Sequence, residues 1–263
     1  MIAANAVRRD RRPKQTNRNM ESNPCPNMME PIGLMTQRIQ TIDEARSARS
    51  LAPRFGRVIQ LLQRCGFDFN RASVCDVGCN LGVLSYWLKR RFPSCDVHAC
   101  DNAPQLLPEH SPHFDYRVAD LARGFPFEDE CMDAILAVEI IEHMVDTDFF
   151  LDECLRILKP GGYLALTTPN ICMLRNRIRV PLGVHPRAVE YRNVIHHVRF
   201  YTEALMKQHL ADRRFVNIRV TCVNMLPQRW IVRSGLARRT SDWLSDRVPG
   251  LGSNLVALAR RQA

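Results

Sequence analysis

The sequence predicts an α/β fold with a mostly parallel sheet and helices on both of its faces. Short apolar runs alternate along the chain with helical patterns, the order expected when each strand is followed by a crossover helix. A loop containing Gly78, Asn80 and Gly82 joins the first strand to a helix, and these residue types tolerate positive φ. Acidic or amide side chains follow the predicted strand ends, at the edge where open α/β sheets bind ligands.

The predicted elements account for most of the chain between residues 31 and 170. A helical pattern over residues 31–65 is broken into two pieces near Pro53, and Gly66 suits the C-cap position. Asp146 supplies a capping oxygen for a later helix, and the Lys-Pro-Gly-Gly run at 159–162 is expected to stop that helix and turn the chain. The predicted strands are residues 74–76, 96–100, 114–120, 132–138 and 163–168, and the predicted helices between them are 83–91 and 149–158.

The composition indicates a chain that can fill a hydrophobic core without a membrane-spanning segment. Of its 263 residues 46% are hydrophobic, yet no apolar run approaches the roughly 18–20 residues of a transmembrane helix. No signal-peptide pattern follows the first residue. Ten cysteines are scattered without C-x-x-C pairs or the histidine spacing of zinc sites. We therefore expect reduced thiols and a cytoplasmic protein, and peripheral membrane association stays open.

The formal net charge of +10 is unevenly distributed. Between residues 8 and 18 six basic side chains face a single acid, Asp10, and the remainder of the net positive charge clusters after Arg175. Residues 1–30 lack any apolar periodicity, so they are predicted to form a disordered basic tail. An excess of positive charge favours binding to nucleic acid, anionic membranes or acidic substrates. It is equally compatible with a solvated tail that binds nothing.

The spacing of the glycine loop distinguishes two classes of cofactor. A dinucleotide fingerprint places its third glycine three residues after the second, whereas Gly82 lies two residues after Asn80. Asp101 lies 19 residues after Gly82, at the end of the second predicted strand, where an acid can accept hydrogen bonds from both ribose hydroxyls. A glycine-rich turn of some other α/β protein remains the alternative for the loop taken alone.

Short motifs between residues 74 and 170 carry a family resemblance. They are Asp76-Val-Gly-Cys-Asn-Leu-Gly82, Asp101, Phe125-Pro-Phe127, Glu139-Ile-Ile-Glu-His143, Leu158-Lys-Pro-Gly-Gly162 and Thr168-Pro-Asn170. Together they resemble the class I S-adenosylmethionine-dependent methyltransferases of the ubiquinone-biosynthesis type and their bacterial small-molecule relatives, with Asn80 where glycine is commonest. The resemblance implies a Rossmann-like sheet of seven strands, with two further strands, one antiparallel, near residues 215–222 and 254–258. It implies a methyltransferase domain over residues 31–263 with its core at 74–170.

The cofactor that this resemblance implies is S-adenosylmethionine. Its amino-acid end carries an ammonium and a carboxylate, for which the loop offers an acid and backbone N–H groups. In the family pattern an acid at Asp120 approaches the adenine amino group, and Leu121 lines the ring. The implied cofactor-binding residues are Asp76, Gly78, Asn80, Gly82, Asp101, Asp120, Leu121 and Glu139.

The segment from Glu139 to His143 supplies the candidate catalytic group. A general base is needed when the methyl acceptor is a hydroxyl, and His143 is the candidate because an unperturbed imidazole titrates near neutral pH. Glu139, Glu142 and His143 also match positions that bind a divalent ion in some quinone O-methyltransferases. They share a face only if the segment is helical. We favour no metal, with Glu139 contacting cofactor or loop backbone and the other two capping the next helix.

Two later segments are candidates for the acceptor side. Specificity in this fold often comes from an insertion after the fifth strand, here residues 171–201, which makes His197 and Tyr201 candidate acceptor contacts. The alternative is a plain loop leading into a helix capped by Thr202. Residues 228–248 interleave tryptophan and aliphatic residues with arginine, which suits an interfacial membrane helix. We prefer a basic amphipathic insertion packed on the sheet edge.

The sequence therefore predicts transfer of a methyl group from S-adenosylmethionine to a small-molecule or lipid-linked acceptor, preferably on oxygen. A membrane-bound chain would suit a lipid-linked saccharide or an isoprenoid quinone as acceptor. One rival is an RNA or other nucleic-acid methyltransferase, although no RNA-binding module is evident and the aromatics are too few for a stacking platform. The other is a catalytically silent cofactor-binding or interaction protein. The sequence does not indicate the oligomeric state.

Overall fold

Seven strands form one sheet in the order β3-β2-β1-β4-β5-β7-β6. The structure is a computed structural model that describes residues 52–80, 82–102, 113–187, 197–223, 225 and 235–263. The predicted basic tail at 1–30 and the first helical piece before residue 52 lie outside the described residues. The strands are β1 Ser73–Val77, β2 Asp96–Asp101, β3 Asp115–Val118, β4 Met132–Val138, β5 Leu158–Pro169, β6 Phe215–Val223 and β7 Asn254–Arg261. The helices are α1 Ala52–Arg64, α2 Val83–Arg91, α3 Thr147–Ile157, α4 Leu174–Arg179, α5 Glu203–Asp212 and α6 Gly235–Arg247.

The strand directions confirm the predicted Rossmann-like, mostly parallel sheet. Each neighbouring pair from β3 across to β5 runs parallel, whereas β7 lies antiparallel to both β5 and β6. The loops that follow β1, β2 and β4 therefore emerge at one edge of the sheet, side by side. This edge is where the predicted site residues are concentrated.

The sheet has a hydrophobic core on each face. Along β4 the side chains alternate, so that Ala134 and Leu136 join one buried cluster while Ile135 and Ala137 join the other. The first cluster contains residues of α1 and α2, and the second contains residues of α3 and α5. Helices thus cover both faces, as the alternation of elements predicted.

The fifth strand begins earlier than predicted. It starts at Leu158, directly after α3, and includes the Lys-Pro-Gly-Gly run that was expected to form a turn. Gly161 has a φ of +77°, and the register to β4 shifts between Met132 and Ala134. Lys159 donates a hydrogen bond to Asp133 on β4 over 2.9 Å. An irregular strand accommodates these residues because the left-handed glycine bends the backbone without ending the pairing.

Other boundaries differ by a few residues. β3 spans only Asp115–Val118, because Asp120 accepts a hydrogen bond from the Ala122 backbone and begins a turn that leaves the sheet. The predicted caps of α3 and α5 are confirmed, since Asp146 accepts from the Phe149 N–H and Thr202 accepts from the Leu205 N–H. No helix within the described residues has both the length and the apolar character needed to cross a bilayer.

Candidate active site

The loop after β1 takes the backbone conformation that its residues predicted. Gly78, Asn80 and Gly82 have φ values of +76°, +49° and +73°. A Cβ at Gly78 would lie 2.6 Å from the Ile140 side chain, so only glycine fits where the loop packs against the segment after β4. The loop and the Glu139–His143 segment are therefore in direct contact at this edge of the sheet.

Asp101 connects the loop to the end of β2. Its Oδ2 atom accepts a hydrogen bond from the Asn80 backbone N–H at 2.8 Å, and the Asp101 residue is largely buried. The backbone N–H of Gly78 also donates to the Cys100 carbonyl at 2.9 Å. An acid held rigidly beside a left-handed loop fits a ligand with paired hydroxyl donors, which is the chemistry of a ribose.

Asp76 lies beneath the loop. It is 2% exposed, and its Oδ2 atom accepts a hydrogen bond from the Ser85 hydroxyl in the first turn of α2 at 2.7 Å. Burial raises the pKa of Asp76 to about 7, although the Ser85 hydrogen bond opposes this shift. Asp76 thus fixes the start of α2 under the loop, and its carboxyl group titrates near neutrality.

The two residues predicted to contact an adenine differ in environment. The Asp120 side chain is exposed and forms an ion pair with Arg123 at 3.2 Å. Leu121 is buried in the same hydrophobic core as Phe125 and Phe150. Both roles stay predictions.

Glu139 is held away from its sequence neighbours. Its backbone N–H still donates to the Thr167 carbonyl of β5, but its φ of +56° turns the chain out of β4, and Ile141–His143 form a 3₁₀ turn instead of an α-helix. Its carboxylate accepts hydrogen bonds from the Thr167 hydroxyl at 2.8 Å and from the Asn254 amide at 3.0 Å. Arg54 from α1 forms an ion pair with it at 3.1 Å. A shared helical face for Glu139, Glu142 and His143 is therefore absent.

The structure instead brings His197 to Glu142 and His143. One ligand-type atom from each of these three side chains lies within 4.8 Å of the other two. The rings of His143 and His197 meet edge to face at 4.9 Å between centroids. The backbone N–H groups of Val198 and Arg199 both donate to the Glu142 carbonyl, which holds the returning chain against this segment.

Glu142 is the least solvated member of this cluster. It is 1% exposed, and neither of its carboxylate oxygens has a hydrogen-bond partner among the described residues. Burial, reinforced by the nearby Glu139, raises the pKa of Glu142 to about 8. A buried carboxylate without a donor binds either a proton or a cation. Two imidazoles lie beside the Glu142 carboxylate. Such a mixed set of nitrogen and oxygen ligands fits a divalent metal ion.

Tyr201 is directed toward α5. Its hydroxyl lies 3.2 Å from Nδ1 of His209, and the two rings stack. Its backbone bridges to Asn170, the residue after β5, so the chain at 201 returns to the sheet edge. The acceptor role of Tyr201 stays a prediction, as does that of His197. His196 and residues 188–195 lie outside the described residues.

Sequence reasoning did not find Arg54 and Asn254. Both contact the Glu139 carboxylate, from α1 and from the first residue of β7. They lie 85 residues before and 115 residues after Glu139 in the sequence, and neither belongs to a local motif. Only the assembled sheet brings them together.

Part of the chain resembles known methyltransferases. Residues 75–166 match the model of a family described as a methyltransferase domain. Over 110 residues the chain is 36% identical to the ubiquinone biosynthesis O-methyltransferase of Xanthomonas oryzae, covering 39% of this chain and 45% of that protein. Over 115 residues it is 35% identical to the mitochondrial enzyme of the same name from Rattus norvegicus, covering 40% and 33% respectively. The chain thus spans less than half the length of these relatives.

Solved structures show the same fold at low sequence identity. Phosphoethanolamine N-methyltransferase 2 of Haemonchus contortus, in complex with S-adenosyl-L-methionine, matches with a TM-score of 0.55 and 17% identity, over 79% of this chain and 53% of that one. A methyltransferase of Thermotoga maritima, described as a possible histamine N-methyltransferase, matches with a TM-score of 0.56 and 14% identity, over 89% and 98%. At these identities the likeness is one of fold.

Proposed function

We propose that the protein transfers a methyl group from S-adenosylmethionine to an oxygen of a small-molecule or lipid-linked acceptor, because residues 75–166 match the model of a methyltransferase domain. The single observation that carries this proposal is the contact of Ile140 with Gly78. It joins a loop suited to the cofactor to a segment that bears a buried carboxylate and a histidine. A nucleic-acid substrate is not favoured, since the relatives carry the name of ubiquinone biosynthesis.

The proposed cofactor-binding residues hold S-adenosylmethionine and orient it. Bound S-adenosylmethionine supplies a methyl group already activated by its sulfonium, so the protein has mainly to align the acceptor with it. Asp101 holds the ribose hydroxyls, while Gly78, Asn80 and Gly82 shape the loop around the amino-acid end. Asp76 supports the loop through Ser85. Asp120, Leu121 and Glu139 complete the proposed set.

The cluster of Glu142, His143 and His197 lies where the acceptor must lose its proton. His143 is the exposed member and acts as the general base that takes a proton from the acceptor hydroxyl. Glu142 lies beside His143 and, with its pKa raised by burial, binds a proton near neutral pH, so it positions the ring without adding a charge. His197 and Tyr201 come from the segment proposed to contact the acceptor.

A divalent cation is the alternative occupant of this cluster. Glu142, His143 and His197 would hold it, and it would act as a Lewis acid that lowers the pKa of the acceptor hydroxyl. The two uses of His143 exclude each other, so treatment with a chelator distinguishes them. If His143 acts as the base, turnover is unaffected by the chelator. If the cation is required, turnover is lost and returns when Mg²⁺ or Zn²⁺ is added.

Residues 171–201 are proposed to contact the methyl acceptor. Residues 31–263 are proposed to form one methyltransferase domain around the core at 74–170. A lipid-linked acceptor would bring a cytoplasmic protein to a membrane surface. The predicted contact segment at 228–248 is described from residue 235, where α6 exposes Leu236 and Trp243. Its Ser241 and Ser245 are buried against the body of the protein, in keeping with the packed alternative.

The experiment that tests the proposed function uses radiolabelled S-adenosylmethionine. The purified chain is incubated with the labelled cofactor and a lipid extract or an aqueous extract of cells, and the labelled product is identified. We expect the label in an ether of a small or lipid-linked molecule. Label in RNA, or no transfer despite cofactor binding in calorimetry, would contradict the proposal.

A further inference from the structure

Tyr201 closes the base of the segment that is proposed to contact the acceptor. Its carbonyl accepts a hydrogen bond from the Ile171 N–H at 3.1 Å, and its backbone bridges to Asn170, the residue after β5. Residue 171 begins the segment and residue 201 ends it, so this backbone contact fixes both of its ends at the edge of the sheet. His197 lies four residues before the contact, and its position therefore depends on how Tyr201 is held.

The side chain of Tyr201 is held by a row of hydrogen bonds that reaches the surface. The residue is 3% exposed, and its hydroxyl lies 3.2 Å from Nδ1 of His209 on α5. On the other side of the imidazole, Nε2 lies 2.8 Å from Oδ1 of Asp148 in the first turn of α3. When the imidazole is neutral, the Asp148 carboxylate keeps the proton on Nε2, so Nδ1 accepts the hydrogen bond of the phenol. The buried hydroxyl thus has the partner that burial requires.

A second set of contacts holds the chain between His197 and Tyr201. The backbone N–H groups of Val198 and Arg199 donate to the Glu142 carbonyl at 2.8 Å and 3.1 Å. Residues 198 and 199 are therefore attached to the segment after β4, whereas Tyr201 is attached to α3 and α5 through His209. The two attachments lie two residues apart, which leaves the backbone that carries His197 little freedom.

His197 is the group that these contacts orient. Its ring meets that of His143 edge to face with 4.9 Å between centroids, and one of its nitrogens lies within 4.8 Å of ligand-type atoms of Glu142 and His143. A misplacement of about 1 Å can cost about a hundredfold in rate. Packing alone does not require the hydroxyl of Tyr201, because phenylalanine would fill the same space in the core. The hydrogen bonds of that hydroxyl therefore serve orientation.

We propose that Asp148, His209 and Tyr201 form a positioning relay that sets the orientation of His197 in the candidate active site. Tyr201 is then a positioning residue that needs no contact with the acceptor, since its hydroxyl is already bound to His209. The inference rests on the proposed function for its kinetic readout, and the orientation of the rings is tested separately from turnover.

Kinetics of double variants test the relay. Tyr201→Phe should lower kcat/KM for the acceptor about ten- to hundredfold, because the His197 ring is displaced, and it should leave the Kd for S-adenosylmethionine unaltered. In a His197→Ala background the same substitution should have little further effect, since the relay acts through His197. An equal loss in both backgrounds would show a purely structural role and would overturn the inference, as would an unchanged kcat/KM in Tyr201→Phe.

Two further variants keep this test independent of the core. Asp148→Ala interrupts the relay at its exposed end, where folding is little affected, and it should lower kcat/KM only while His197 is present. Tyr163→Phe is the matched control. The Tyr163 hydroxyl also donates a hydrogen bond, to the Cys65 carbonyl at 3.3 Å, but the residue pairs with Ala134 near the start of β4, away from the site. Its removal should leave kcat/KM unchanged.

NMR spectra of the histidine rings test the geometry without turnover. In Tyr201→Phe the ring resonances of His197 and His143 should shift, whereas in Tyr163→Phe they should not. If these shifts occur in a protein that transfers no methyl group, the proposed function fails and the relay stands. Unshifted His197 resonances in Tyr201→Phe overturn the relay, whether or not the protein is a methyltransferase.

Discussion

At the scale of single residues, Asp101 and the Asn80 backbone link two parts of the sheet edge that are 21 residues apart in the sequence. The loop after β1 owes its shape to residues that tolerate positive φ, and Asp101 keeps that loop at the end of β2. The carboxylate is therefore both a support for the loop and the proposed partner of the ribose hydroxyls.

Replacing Asp101 should weaken cofactor binding. In Asp101→Ala the hydrogen bonds of a charged acceptor are lost, worth about 1.5–3 kcal/mol, so the Kd for S-adenosylmethionine should rise roughly ten- to hundredfold. Titration calorimetry measures this change. Asp96→Ala, which removes an exposed acid at the opposite end of β2, should leave the Kd unaltered. Equal affinity of Asp101→Ala and the unmodified chain would remove Asp101 from the site.

Replacing His143 should affect turnover and not cofactor binding. Loss of a general base typically lowers kcat about 10²- to 10⁴-fold, and His143→Ala should fall in that range when it is assayed with the acceptor that the labelling experiment identifies. The Kd for S-adenosylmethionine should stay constant, since His143 is not in the proposed cofactor set. His98→Ala, on β2 and outside the cluster, serves as the control. Unchanged kcat in His143→Ala would exclude it as the base.

Among the elements, α1 is connected to α6 and β6 by the buried guanidinium of Arg57. Arg57 is 4% exposed and donates hydrogen bonds to the Asp246 carboxylate and to the Thr221 hydroxyl. Burial lowers the pKa of Arg57, and Asp246 is the largest opposing influence. The buried charge of Arg57 on α1 is thus compensated by Asp246 on α6, which lies 189 residues later in the sequence.

Removing the Asp246 carboxylate should lower the free energy of unfolding. Asp246→Ala leaves the buried Arg57 charge uncompensated, which typically lowers the free energy of unfolding by about 3–5 kcal/mol. Urea denaturation measures the loss. In the double variant Arg57→Met/Asp246→Ala most of the lost stability should return, because the buried charge is gone. A double variant as unstable as Asp246→Ala would show that packing, and not the charge, accounts for the effect.

In the molecule as a whole, the edge of the sheet with the candidate site carries carboxyl groups that burial makes hard to ionise. Burial raises the pKa values of Asp76 and Glu142, to about 7 and about 8. In the unfolded chain both groups titrate near their ordinary values, about 4. Between these limits the folded protein holds more protons than the unfolded chain, so its stability falls as pH rises.

The pH dependence of stability should therefore be steepest between about pH 4 and pH 8. Each unit of pKa difference corresponds to about 1.4 kcal/mol, and the stabilisation is complete below the unfolded pKa and lost as pH rises through the folded one. Urea unfolding across this range measures the slope. Asp76→Asn should reduce the slope, because the amide does not ionise and can still accept the Ser85 hydrogen bond. An unaltered slope in Asp76→Asn would contradict the raised pKa.

Features that depend on neighbouring residues could be predicted from the sequence alone. The bounds of β4 and α2 match the prediction because apolar run length and helical spacing are local signals. The loop from Gly78 to Gly82, the caps at Asp146 and Thr202, and the position of Asp101 at a strand end are likewise local, since each follows from residue type and spacing. These features were enough to predict the fold and to suggest the cofactor.

Contacts between side chains that are distant in the sequence could not be predicted in this way and follow from the folded chain. Sequence spacing grouped Glu139 with Glu142 and His143, but the positive φ of Glu139 breaks that face and Arg54 and Asn254 hold its carboxylate. His197, and not Glu139, joins Glu142 and His143, because the backbone N–H groups at 198–199 donate to the Glu142 carbonyl. Such contacts depend on how parallel strands align their ends and where later segments return, and a pattern read along one chain does not contain that information.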